Sequence, residues 1–131
     1  MKKTFLLNSQ ISGVISQMGH TDTIVIGDIG LPIPKQIRRI DLAVKRGLPS
    51  FIDVLEAILS ELAIEGITIA EEMKENNAEL YNKIYSMFPG VTVNEIPHEE
   101  FKKKTESSRA IVRTGECMPY ANVILHSAVV F

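Results

Sequence analysis

The 131-residue chain is 45% hydrophobic and 23% charged, with fourteen Lys and Arg against sixteen Asp and Glu for a formal net charge of -2. That length supports one domain, 1–131, with its own core and is too short for two ordinary ones, and the composition excludes a disordered or fibrous chain. The only basic cluster, Lys102 to Lys104, is flanked by Glu99, Glu100 and Glu106, which argues against a phosphate-tracking groove and a nucleic-acid partner.

The opening Met1-Lys2-Lys3-Thr4-Phe5-Leu6-Leu7 imitates the start of a signal peptide. Asn8, Ser9, Gln10 and Ser12 interrupt the apolar run before it becomes a hydrophobic region, so it reads as mature sequence. Ile11, Val14, Ile15 and Met18 then fall on one helical stripe, with Asn8 or Ser9 as cap and Gly19 as the expected left-handed stop. His20 follows the helix end. Thr23 to Gly27 carries Ile24, Val25 and Ile26 and predicts a strand covered on both faces. Asp28, Gly30, Pro32 and Pro34 make the loop after it close to the backbone and stiff.

A short strand is expected within Ile37 to Val44, with a boundary at Gly47 to Pro49. Ser50 and Asp53 resemble a capping box ahead of a helix with Phe51, Leu55, Ile58, Leu59 and Leu62 inward, ended by Gly66. A strand at Ile67 to Ile69 leads to a helix from about Asn76 to Phe88, with Leu80, Ile84 and Phe88 inward, stopped by Pro89 and Gly90. Val91 to Ile96 alternates as a strand, and Pro97 and His98 open a charged helical segment through Lys104. Strands at Ala110 to Thr114 and Val123 to Val130 close the chain around a loop from Gly115 to Asn122.

Helices alternating with strands predict a three-layer α/β/α sandwich with a mainly parallel, mixed sheet, although the last two strands have freedom to pair differently. No stretch approaches the roughly 20 apolar residues of a membrane-spanning helix. The apolar ending Ala128-Val129-Val130-Phe131 is expected to dock into the core or a neighbouring subunit. Cys117, alone, permits no disulfide and suits a reducing compartment; with no His near it in sequence it reads as a small packed side chain.

His20 and Asp28 bracket one helix-loop-strand unit and form a candidate general acid and base, although His20 alone is compatible with a structural role and Asp28 with a turn. His98, Tyr120 and Asn122 stand at the edges of later elements as candidate ligand contacts or caps. Lys102, four residues after His98, shares its helical face. His126, inside an apolar strand, reads as structural. No Cys pair, His-x-x-x-His or carboxylate cluster has metal-ligand spacing, and neither a Rossmann fingerprint nor a phosphate loop is present. Imidazole, carboxylate, amide and phenol suit a polyhydroxylated ligand and proton transfer.

Met18-Gly19-His20-Thr21-Asp22, Gly27-Asp28-Ile29-Gly30-Leu31-Pro32-Ile33-Pro34, Arg113-Thr114-Gly115-Glu116 and Pro119-Tyr120-Ala121-Asn122-Val123-Ile124-Leu125 occur in one order across the chain. In these segments it resembles the D-ribose pyranase and fucose mutarotase family, and Gly27 to Pro34 resembles the ribose branch. The resemblance implies a cytoplasmic, cofactor-free and metal-free isomerase converting β-D-ribopyranose to β-D-ribofuranose, the form a ribose kinase phosphorylates. It also implies His20 as proton donor and Asp28, His98, Tyr120, Ala121 and Asn122 as sugar-binding residues. The implied assembly is a homodecamer of stacked pentameric rings with sites shared between subunits. Two other classes compete: a non-catalytic sugar-binding accessory of ribose transport, and a nucleotide-binding domain, which the missing phosphate loop disfavours.

Overall fold

The computed structural model describes residues 1–131. Helix α1 (Ser9–Gln17) begins where the Asn8 side chain accepts the Ile11 N–H, and it buries Ile11 and Val14. It leaves through Met18 in an extended conformation, and the left-handed residue is Thr21 (φ 71) rather than Gly19. A tertiary contact replaces the expected glycine stop: the Thr21 N–H bonds the Ser127 carbonyl at 3.3 Å. Gly19 instead closes a turn, its N–H donating to Asp22 Oδ2 at 2.8 Å.

Strand β1 (Thr23–Gly27) is as predicted, buried from Ile24 onward. Strand β2 (Arg39–Asp41) is shorter than expected and buries only Ile40, because it is an edge strand. Helix α2 (Phe51–Leu59) starts at Ser50, whose Oγ accepts the Asp53 N–H at 3.1 Å and donates to the Asp53 carboxylate at 2.7 Å. Gly66 does not end it. The helix stops at Leu59, and Gly66 lies inside strand β3 (Ile64–Ala70).

The helix expected from about Asn76 to Phe88 is α4 (Ala78–Met87), and a separate helical turn, α3 (Met73–Asn76), precedes it across Asn77. Asn77 departs from helical geometry (φ -151, ψ 59), and its buried side chain donates to the Pro119 carbonyl at 3.0 Å. Strand β4 (Thr92–Ile96), helix α5 (His98–Lys104), a 3₁₀ turn (Thr105–Ser107), β5 (Ala110–Arg113) and β6 (Val123–Ser127) follow.

The six strands form one sheet in the order β2-β5-β1-β6-β3-β4. The pairs β2/β5, β5/β1 and β3/β4 are parallel, and β6 alone runs antiparallel to its neighbours. The mainly parallel sheet is therefore present, with the last strand reversed. Alternate strand residues bury opposite faces. Ile24, Ile26, Ile67, Ile69, Val112, Val123 and Leu125 meet α1, α2, α3 and α4, while Val25, Ile111 and Ile124 meet Phe101 of α5 and Leu31 of the loop after β1. Three layers result, and the α5 side is the thinner.

Strand β3 holds one irregularity: Ile64 pairs with Ser127 and Gly66 with His126, leaving Glu65 as an extra residue in a β-bulge. The bulge lets Ile64 and Ile67, three apart, pack on the same core. Strand β6 ends at Ser127, and Val130 and Phe131 are 86% and 102% exposed. Within one chain the apolar ending is not docked. Cys117, expected to be packed, is exposed as well. No helix is long and apolar enough to cross a membrane.

Candidate active site

All five mutually parallel strands deliver their carboxyl ends to one edge of the sheet, where β6 begins, and that edge gathers most of the candidate residues. This is the edge at which loops present side chains on a rigid support. Asp28 leaves β1 there, and Asn122 enters β6 beside it. The Asn122 side chain brackets Asp28, its Oδ1 accepting the Asp28 N–H at 2.9 Å and its Nδ2 donating to Asp28 Oδ2 at 3.0 Å. The other carboxylate oxygen accepts the Gly30 N–H at 2.9 Å. Asn122 itself is buried.

Gly27 makes this closeness feasible. A Cβ there would stand 2.6 Å from Leu31 Cδ2 and 3.2 Å from Asn122 Oδ1. The exits of β1 and β5 are tied together as well, since Thr114 donates to the Gly27 carbonyl through its N–H at 3.0 Å and its Oγ1 at 2.9 Å. Arg113 braces the next loop, its Nε donating to the Ile29 carbonyl at 3.1 Å and its Nη1 to Asp41 at 3.1 Å. For Asp41, burial pushes the carboxyl up, but the Ala43 N–H and the Arg113 guanidinium outweigh it and hold the group below its ordinary value.

Tyr120 occupies the left-handed region (φ 57), a conformation that costs a non-glycine residue energy and collects at functional sites. Its carbonyl accepts the Asn122 N–H at 2.8 Å. Its ring meets His98 edge to face at 5.1 Å, and His98 lies parallel to Phe101 at 6.1 Å. The His98 backbone N–H is held by both Glu72 carboxylate oxygens at 3.1 and 3.0 Å, and His98 Nδ1 is buried without any partner. Buried polar atoms are ordinarily paired, so this nitrogen is an exception within the single chain. Ala121 is buried between Tyr120 and Asn122 and packs into the helix-side core. Asp28, His98, Tyr120, Ala121 and Asn122 thus stand along one continuous run of contacts.

His20 does not join them in this chain. It precedes β1 and Asp28 follows it, so the five-residue strand separates the two by roughly 16 Å at about 3.3 Å per residue. The expectation that one helix-loop-strand unit brings them together is corrected by that strand. His20 instead sits half-exposed, its Nε2 at 2.8 Å from Glu65 Oε2. It lines a cleft of about 240 Å³ with Met18, Leu62, Ala128, Val130 and Phe131. The Asp22 carboxyl in its turn is held below the ordinary value by Arg109 and the Gly19 N–H.

Lys102 Nζ is engaged with Glu99 at 2.6 Å. His126 has Nε2 at 2.9 Å from Thr68 Oγ1, and burial, joined by Lys104, pushes its imidazole down against an opposing pull from Glu65. Residues that sequence reasoning missed support the edge. Glu116 accepts the N–H groups of Cys117 at 3.0 Å, Met118 at 3.1 Å and Phe51 at 3.3 Å, so it shapes the loop leading to Tyr120. Its signal was the Arg113-Thr114-Gly115-Glu116 motif. Glu72 and Asn77 carried no local signal, because their partners lie 26 and 42 residues away.

A protein-family model described as the RbsD / FucU transport protein family matches residues 1–130. A protein of Bacillus cytotoxicus named D-ribose pyranase is 52% identical over 131 residues, the whole of both chains. One of the same name from Clostridium perfringens is 54% identical over 131 residues, again the whole of both. Among solved structures, Bacillus subtilis RbsD complexed with D-ribose superposes with a TM-score of 0.97 at 42% identity, covering 100% of each chain.

Proposed function

The chain belongs to the RbsD / FucU transport protein family, and from that membership we propose that it is a D-ribose pyranase, an isomerase interconverting β-D-ribopyranose and β-D-ribofuranose. The observation that carries this is identity above 50% with proteins of that name over the full length of both chains. Residues 1–131 act as one domain, and the enzyme works in the cytoplasm, ahead of phosphorylation of the furanose in ribose degradation.

Ring opening needs a proton on the ring oxygen as the anomeric hydroxyl gives one up. The bond between C1 and the ring oxygen breaks, and an open aldehyde results. The C4 hydroxyl then adds to that aldehyde, losing its proton as the carbonyl oxygen gains one, so protons balance over the cycle. Water alone does this slowly, and a positioned acid and base adds a factor of roughly 10² to 10⁴. His20 supplies the acid. Asp28, oriented by Asn122 and Gly30, His98, Tyr120 and the Ala121 to Asn122 backbone hold the sugar.

Because β1 separates His20 from Asp28, the working site takes His20 from a second copy, in keeping with a homodecamer of stacked pentameric rings. Two features support a shared site. None of Asp28, His98, Tyr120, Ala121 and Asn122 lines a cavity of the single chain, although Asn77 and Glu116 nearby do, whereas a sugar site normally encloses most of its ligand. The His20 cleft also carries the exposed apolar Val130 and Phe131, surface that a partner covers.

The test is NMR exchange spectroscopy on D-ribose. Wild type is expected to accelerate pyranose-furanose exchange and His20→Ala to return it to the buffer rate; equal acceleration by both overturns the assignment. The family's description as transport proteins keeps one other reading in play, a non-catalytic sugar-binding accessory, which predicts saturable binding with no acceleration.

A further inference from the structure

We propose that Glu65 is a positioning residue for His20, fixing which imidazole nitrogen faces the sugar; this rests on the assignment of His20 as the proton-transferring group. Glu65 is the extra residue of the β3 bulge, between Ile64 opposite Ser127 and Gly66 opposite His126. Bulges re-aim side chains and concentrate beside active sites. Here the bulge points a carboxylate at His20, Oε2 to Nε2 at 2.8 Å.

A carboxylate accepts and never donates, so Nε2 carries the hydrogen in this contact. Nδ1 is therefore the nitrogen left for proton exchange with the sugar, in either charge state of the ring. The same logic fixes imidazoles whose second nitrogen is held by a carboxylate.

The backbone on both sides of the contact is pinned. The His20 turn is closed by Gly19 N–H on Asp22 at 2.8 Å, and Asp22 is paired with Arg109 at 3.0 Å. Glu61, which also lines the cleft, is engaged elsewhere, pairing with Lys2 at 3.1 Å. Glu65 is thus the carboxylate that addresses the imidazole directly.

The experiment combines ¹⁵N imidazole NMR of His20 with exchange rates in wild type, Glu65→Gln and Glu65→Asp. In wild type the Nε2–H tautomer is expected to dominate. A Gln amide both donates and accepts, so Glu65→Gln is expected to lose that preference and to slow exchange at saturating ribose about ten-fold, with half-saturation unchanged. Glu65→Asp is expected to recover part of both. Glu65→Gln with wild-type tautomer and rate overturns the proposal, as does a loss confined to ribose affinity. If Glu65→Gln shifts the tautomer while His20→Ala retains full activity, the contact stands and the catalytic assignment of His20 fails instead.

Discussion

Asn122 spends both ends of its amide on Asp28, so a single buried side chain fixes the backbone and the carboxylate of the aspartate proposed to bind the sugar. Truncation leaves the Asp28 N–H without that partner, and an unsatisfied group of this kind costs about 1–3 kcal/mol. Asn122→Ala is expected to lose that much stability in urea denaturation and to weaken ribose binding as well. His126 sets a pH dependence. Its folded imidazole lies below the ordinary 6.5, chiefly through burial. The unfolded chain therefore binds a proton at a pH where the folded chain does not. The stability tied to this group is complete above about pH 6.5 and is lost as pH falls toward the folded value. His126→Gln is expected to flatten that part of the stability profile, read as the denaturation midpoint against pH; an unchanged slope contradicts it.

Elements whose signals are local were legible, and those set by distant contacts were not. Helix α2 shows the first case: Ser50 and Asp53 sit three apart and bond each other as the capping pattern implies. Ser50→Ala is expected to cost about 1 kcal/mol in denaturant unfolding. The end of the same helix shows the second. Gly66 read as a stop because a strand with a bulge has no regular period, and only pairing with β6 turns Ile64 to Ala70 into one element. Gly19 failed similarly, since the left-handed residue is chosen by the Thr21 bond to Ser127. Gly115 was legible as part of a motif but not in its purpose. A Cβ there would collide with the Leu48 backbone, so Gly115→Ala is expected to destabilise by about 1–3 kcal/mol and to disturb the loop carrying Tyr120.

Taken whole, the molecule places its proposed sugar-binding edge and its candidate acid at opposite ends of one sheet. The sequence already contained that fact, because a residue before a strand and a residue after it cannot share an end. Closeness in sequence concealed it. The proposed shared site calls for a second copy to close the gap, and the exposed Val130 and Phe131 that line the cleft with His20 are the surface assigned to it. Phe131→Asp is accordingly expected to shift sedimentation toward smaller species and to lower activity together.

Mixing two inactive variants decides whether sites are built across copies. His20→Ala keeps an intact Asp28 edge, and Asp28→Asn keeps an intact His20. Refolded together into mixed oligomers, they leave about one site in four with both groups wild type, if each site draws one group from each of two copies. The mixture is then expected to accelerate pyranose-furanose exchange of D-ribose where neither variant alone does. A mixed assembly that stays at the buffer rate would contradict a site shared between subunits.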